Sequence, residues 1–402
     1  MINKANTKGI FRVEQLRAIS IWRKELVNLN KVRDNHFRYF GSNFDFTLLV
    51  SKNNKIGNHI EKDNAKVVRI SGVGGVLFFY FRCFIWLVRE HYKNPFDALI
   101  APIGEEPIGW LFVRLLFWRK PKLIYDLWDV PGHSVSKLLF YNPKKYFFGL
   151  YYFVLKRIIK KGDVVIVGVV PEGMDDFHIT KSKIIVSQNS IQPESFPKDV
   201  LVSGCDEWKW VKEGFKKILY VGYIHKTRGS DLLIDYALYI KNHGVLANII
   251  MVGPSDDVTF KRLHEKIVEY GVEDIVHIYN ELPSLTIPGL VAGADIGVCA
   301  LDDIDKYRWS YPVKIYEYLV SGKPVVATDL PGISTIITNG SNGLLFNAGD
   351  TKDFINKINS IINNKDLYAN LQKSAILSVC DTTYERVVSD ISQSIYAAIR
   401  GG

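Results

Sequence analysis

The sequence predicts an α/β protein made of two doubly wound parallel sheets, and three observations carry that prediction. Short apolar runs rich in branched and aromatic residues recur along the 402 residues, each followed by a stretch of helical periodicity. Such runs are what βα units with strands covered on both faces require. The alternation breaks once, in the irregular segment after Asn189, and then restarts. The length fits two domains of roughly 150 to 200 residues better than one core.

In the first half, strands are expected at 44–51 (FDFTLLVS), 65–72, 96–102, 121–127, 163–168 and 183–189, with the opening GIFRVEQ as one more. Between them lie three segments that mix aromatics with basic residues, at 74–93, 108–122 and 141–161. Each is too short, or too interrupted by arginine, to span a membrane. Each has the aromatic, leucine and Lys/Arg content of a helix that lies on an anionic lipid surface. After the linker, strands are expected at 216–223, 246–253, in IVHIYN, in DIGVCAL, in PVVATD and in GLLFN. The helices between them include SDLLIDYALYIKNHG, with Ser230 as N-cap and Gly244 as its end. The expected domains are 1–200 and 201–385, followed by a terminal helix at 386–402. Ligands of such sheets sit at the carboxyl ends of the strands, here in a central cleft that both domains face.

Charge divides unevenly. Residues 1–200 carry 31 Lys and Arg against 18 Asp and Glu, a net of +13, and the remainder carries a net of −4. A basic first half implies an anionic partner. No nucleic-acid-binding signature accompanies it, so an anionic membrane surface or a phosphorylated acceptor is the expected partner and nucleic acid is not. The four cysteines are widely spaced, without metal-ligand or disulfide patterning, and the amino terminus has no apolar signal region. Both features predict a cytoplasmic protein.

The chemistry is concentrated in SYPVKIYEYLVSGKPVVATD, residues 310–329. Ser310 is expected to cap a short helix with Pro312 in its first turn, where backbone N–H groups lack partners and can hold phosphate. Lys314 adds a charge beside them. Glu317, one turn on, suits the vicinal hydroxyls of a ribose. Phosphate donors followed by a diol acceptor describe a nucleotide site.

From about residue 183 to the end, the chain resembles a retaining glycosyltransferase of family 4 with the GT-B fold, two Rossmann-like domains facing a cleft. The resemblance rests on KIIVSQNSIQPESF, ILYVGYIHKTRGSDLLIDYA, NIIMVGPSDD and PVKIYEYLVSGKPVVATDLPGISTIITNGSNGLLFNAGD, in the family's order. The first half is similar only in PKLIYDLWDVPGHS and GDVVIVGVVPEG.

That resemblance implies a metal-independent hexosyltransferase whose co-substrate is a nucleotide-diphosphate sugar, with no cofactor, acting on a lipid-linked or glycan acceptor at the inner face of the cytoplasmic membrane in surface polysaccharide synthesis. By position it makes Glu317 the ribose ligand, Val313 and Lys314 the helix start at the diphosphate, and Arg228 the neutralising cation with Lys226 beside it. Gly222 permits close backbone approach, and Tyr279 to Leu282 form the loop that reads the base. Asp129 and His133, and Asp126 before them, follow a first-domain strand and are the candidates to orient the acceptor or take its proton, with a turn cap as the alternative for Asp126. Trp309 stands where the family has the first Glu of its E-x7-E motif, the residue that meets the transferred sugar; Asp302, Asp303 and Asp305 are nearby carboxylates. LDDID reads as an acidic loop rather than a metal site. Two alternatives keep the fold: a nucleotide-sugar 2-epimerase, and a non-catalytic partner in a glycosylation complex.

Overall fold

The structure, a computed structural model, describes residues 16–22, 44–52, 66–102, 104–116, 118–127, 145–189, 206–283, 286–380 and 382–400. The described strands form two sheets, one in each of two units.

The first unit comprises the chain up to Val167, Met174–Val186 and the residues from Val388 onward. Its strands are β1 (Arg17–Trp22), β2 (Asp45–Ser51), β3 (Lys66–Ile70), β4 (Ala98–Pro102), β5 (Lys122–Leu127), β6 (Val164–Val167) and β7 (Ile184–Val186), ordered β3-β2-β1-β4-β5-β6-β7. Every pairing is parallel. Strands such as ALIAP and VVIV are buried along their whole length, as a sheet covered on both faces demands.

The central strand β1 was not among the expected ones, and GIFRVEQ lies outside the described residues. RAISIW hides its identity because a serine interrupts the apolar run. Ser20 is buried, yet its hydroxyl donates to the Ile100 carbonyl at 2.9 Å, so a polar residue sits mid-sheet with its donor satisfied.

The helices of this unit are α1 (Val76–Lys93), α2 (Glu106–Leu115) and α3 (Lys145–Ile159). α1 buries Phe79, Cys83, Leu87 and His91, a stripe at four-residue spacing. Its other side exposes Leu77, Phe78, Phe81 and Ile85. α2 starts earlier and ends sooner than the 108–122 segment, because Pro107 fits its first turn and Trp118–Lys120 already form the turn into β5. Among the described residues no helix is long and apolar enough to cross a membrane.

The second unit comprises Gly168–Gly173 and Ser187–Val387. Its strands β8 (Lys216–Val221), β9 (Ala247–Val252), β10 (Val276–Tyr279), β11 (Ile296–Cys299), β12 (Val325–Thr328) and β13 (Gly343–Phe346) are parallel, ordered β10-β9-β8-β11-β12-β13. The order reverses direction between β8 and β11, the switch point at which such sheets open a crevice. The helices are α4 (Ser230–His243), α5 (Asp257–Tyr270), α6 (Ile287–Gly293), α7 (Asp305–Arg308), α8 (Val313–Val320), α9 (Pro331–Ser334), α10 (Thr351–Asn363), α11 (Lys365–Ser378) and α12 (Tyr384–Arg400). α4, α5 and α10 bury Leu233, Leu263 and Phe354 against one face of the sheet. α12 crosses into the first unit, where Tyr396 stacks on Phe44 with centroids 5.2 Å apart.

Two helix starts differ from expectation. Ser230 is the first residue of α4, and Gly229 holds the N-cap position at φ +85°. A Cβ at Gly229 would lie 2.5 Å from that of Ala300, so only glycine fits there. Ser310 does not cap α8 either. It makes an antiparallel bridge to Val169, its hydroxyl donates to the Tyr307 carbonyl at 2.9 Å, and Pro312 occupies the N-cap position. Proline keeps the residue before it extended, which moves the helix start past Pro312.

Candidate functional site

At the carboxyl end of β8 the chain turns at Gly222, φ +126°, while its N–H donates to the Val252 carbonyl at 2.8 Å. The neighbouring turn is Gly253, whose N–H donates to the Tyr279 carbonyl at 3.0 Å. A Cβ on Gly253 would fall 2.0 Å from the Gly222 oxygen. These glycines let three strand ends lie side by side, bringing Gly222 and Tyr279 to one edge. Leu282 follows, half-buried in an otherwise exposed loop beyond β10.

α8 is fixed beneath that edge. The Tyr318 hydroxyl accepts from the Val221 N–H at 2.9 Å and donates to the Leu219 carbonyl at 3.2 Å, tying the helix to β8. Its ring fits because β11 carries Gly297, where a Cβ would lie 2.3 Å from the ring.

The second residue of α8, Lys314, therefore runs under the Gly222 turn. Its Nζ lies 3.7 Å from the Tyr220 ring centroid and would be 3.1 Å from a Cβ at position 222. Lys314 is 8% exposed, and its Nζ has no hydrogen-bond partner. Burial pulls its pKa down to about 8; the Arg228 charge adds to the shift, and Cys299 and Glu317 oppose it. α8 has no side-chain cap, so the amides of Val313 and Lys314 are those a helix cannot satisfy internally. Val313 is at the surface, and Glu317 is half-buried one turn along.

Arg228 closes a three-residue 3-10 turn (Lys226–Arg228). Its Nε donates to the Tyr307 hydroxyl at 3.2 Å, and its guanidinium carbon lies 5.0 Å from the Tyr307 ring centroid and 6.0 Å from that of Tyr223. Burial acts to raise the Tyr307 phenol pKa, but hydrogen bonds with Thr227 and Arg228 and the charges of Arg228 and Lys306 hold it below the usual value. Lys226 is exposed and lines a different recess, with Gly229, Asp302 and Thr328.

Trp309 has structural work. Its carbonyl accepts from the Val170 N–H at 3.1 Å, and its side chain covers Gly173, where a Cβ would lie 2.9 Å from that of Trp309. Asp303 forms a two-point ion pair with Arg308 at 2.7 and 2.5 Å. Asp126 is buried at the end of β5, whereas Asp129 and His133 lie outside the described residues. Among the described residues no group of three or more His, Cys, Asp or Glu is placed to hold a metal ion. Sequence reasoning missed Tyr220, Tyr307 and Tyr318. The signal that could have found them is the density of tyrosine in strand and helix positions next to the predicted lysine and arginine.

Two parallel sheets covered by helices, in this order, are the two Rossmann-like domains of a GT-B fold. The structure of Anabaena Alr3699/HepE in complex with UDP and glucose superimposes with a TM-score of 0.72 over 95% of this chain and 100% of that one, at 16% identity. Residues 206–377 match the model of the family Glycosyl transferases group 1, which supports a GT-B glycosyltransferase. The chain is 22% identical to the D-inositol 3-phosphate glycosyltransferase of Nocardia farcinica over 187 residues, which are 45% of this chain. It thereby spans only 40% of that relative's length. It is 24% identical over 329 residues to an uncharacterized 41.2 kDa protein in the cps region of Klebsiella pneumoniae, covering 77% of this chain and 84% of that protein.

Proposed function

We propose that the protein is a retaining, family 4 hexosyltransferase that moves a sugar from a nucleotide diphosphate to a lipid-linked glycan acceptor in surface polysaccharide synthesis. The observation that carries the reading is Lys314. A buried ammonium without a hydrogen-bond partner costs several kcal/mol unless an anion neutralises it, and this one lies beside a glycine turn and at an uncapped helix start. A diphosphate supplies that anion. Glu317 then accepts from the ribose hydroxyls, and the loop from Tyr279 to Leu282 meets the base.

The chemistry is electrostatic. As the acceptor oxygen bonds to the anomeric carbon and the bond from that carbon to the diphosphate breaks, Lys314, Arg228 and the first amides of α8 hold the negative charge that develops on the leaving diphosphate, whose oxygen takes up the acceptor's proton. Nothing in this step asks for a covalent protein intermediate. The HepE structure was solved with UDP and glucose, which favours a uridine nucleotide as the first donor to test.

The acceptor side rests on the first unit. Arg157 stacks on Phe153 at 3.9 Å and Arg114 on Trp110 at 5.9 Å, and α1 of the same unit has its own exposed apolar side. Aromatic anchors with adjacent arginines suit an anionic lipid surface and a polyprenyl-diphosphate acceptor.

Calorimetric titration with UDP, GDP, ADP and their sugar conjugates tests the donor site. One nucleotide is expected to bind, about tenfold or more weakly to Glu317→Ala. No binding by the folded protein would sink the reading. A second reading, a non-catalytic partner, draws on Trp309, which is committed to packing where the family places a sugar-binding carboxylate. Nucleotide binding without transfer to any lipid-linked acceptor would select it.

A further inference from the structure

We propose that Tyr307 is a positioning residue for Arg228, holding the guanidinium in the orientation in which it meets the donor diphosphate; this rests on the nucleotide-site reading above. An arginine at the end of a three-residue turn has no helix or strand to order it, and its long side chain carries about 2 kcal/mol of rotamer entropy. Here three contacts order it. The Tyr307 hydroxyl accepts from Nε at 3.2 Å, and the Tyr307 and Tyr223 rings lie at 5.0 and 6.0 Å from the guanidinium carbon.

The choice of atom matters. Engaging Nε fixes the plane of the guanidinium while its two terminal amino groups stay directed elsewhere, and that fork pairs with two phosphate oxygens. Tyr307 is itself anchored. It is buried, its N–H donates to the Ile304 carbonyl at 2.8 Å, and its carbonyl accepts the Ser310 hydroxyl at 2.9 Å. Its hydroxyl also meets Thr227 Oγ1 at 3.3 Å, and Thr227 in turn meets His225 Nδ1 at 2.8 Å. A chain of hydrogen bonds thus runs from His225 through Thr227 and Tyr307 to Arg228, and joins the turn after β8 to α7. Ordering the arginine before the ligand arrives removes that cost from binding. The low phenol pKa fits a hydroxyl oxygen that serves a cation.

The test is titration of wild type, Tyr307→Phe, Arg228→Ala and the double variant with UDP, and with uridine by competition. Tyr307→Phe keeps the ring and removes only the hydroxyl, so the fold is expected to survive. UDP binding should weaken about tenfold, as loss of a hydrogen bond to a charged group implies. Uridine, which has no phosphate, should bind as before, and the loss should vanish in the Arg228→Ala background. If Tyr307→Phe matched wild type while Arg228→Ala bound UDP weakly, the positioning role would be overturned and the nucleotide site would stand. Equal losses for UDP and uridine, or additive losses in the double variant, would also overturn it, as a general packing effect. Absence of binding by all of UDP, GDP and ADP, or nucleotide binding indifferent to Arg228→Ala, would overturn the reading beneath it; were GDP or ADP the one that binds, the same titrations run with it and its nucleoside.

Discussion

Two regions of the molecule set a cation against an aromatic ring at nearly the same distance, and burial separates their roles. In the second unit the Lys314 ammonium lies 3.7 Å from the Tyr220 centroid, enclosed by α8, β8 and the Gly222 turn. In the first unit the Arg157 guanidinium lies 3.9 Å from the Phe153 centroid, and both side chains are exposed. The buried charge has lost its hydration and gains a great deal from an incoming anion. The exposed one keeps its water and gains little from any single partner. A discrete ligand suits the first; a broad, weakly held surface, contacted at many points, suits the second.

The sharpest way to break that contrast is Lys314→Met. The methionine fills the same space under the Gly222 turn without a charge, so UDP affinity should fall by about a hundredfold, the scale of a lost charge-assisted contact. The ligand-free protein should melt higher, by about 1 kcal/mol, because an uncompensated buried ammonium has been removed. Calorimetry and thermal unfolding read the two effects. A variant that bound UDP normally, or that lost stability, would show that Lys314 serves the fold.

The exposed side should respond in the opposite manner. Leu77 and Phe81 are 84% and 60% exposed, so replacing both with serine removes no core contact. Sedimentation with phosphatidylglycerol-containing vesicles should show about tenfold weaker partitioning, from the apolar area no longer buried in the interface. UDP binding and melting temperature should stay unchanged. Equal partitioning of wild type and variant would remove α1 from the proposed membrane face.

The contrast also explains what was legible in the sequence. Sheet strands buried on both faces are apolar runs, and those were readable; β1 was not, because Ser20 breaks the run and the bond that satisfies it is made by a residue far along the chain. The local setting of Glu317, Lys314 and Gly222 was readable, since a helix start and a strand-to-turn glycine are local features. The tyrosines packed beside Lys314 and Arg228 were not. Tyr318 acts on β8 through space, Tyr307 reaches back to Arg228, and neither link has a spacing to read. Ser310 and Ser230 misled for a related reason: each is a good cap by type, but Pro312 displaced one start and the tight contact of Gly229 with Ala300 displaced the other.

The smallest effect expected is that of pH, and it tests burial itself. The pKa of Lys314 in the folded protein, about 8, lies below its ordinary 10.5, so between these values the unfolded chain binds more protons at this site. Its destabilising contribution is therefore full below about pH 8 and fades as pH rises toward 10.5, so this site adds to stability across that window. Ligand binding runs the other way. An anion prefers the ammonium, so UDP affinity should fall from pH 7.5 to about pH 9 by about five- to tenfold as the proton is lost. Comparison with Lys314→Met isolates the lysine: its profile should be shallower than that of wild type by the lysine's share. Parallel profiles would mean that the ammonium keeps its proton throughout, and that its enclosure by Tyr220 and the Gly222 turn is looser in solution than the 3.7 Å contact implies.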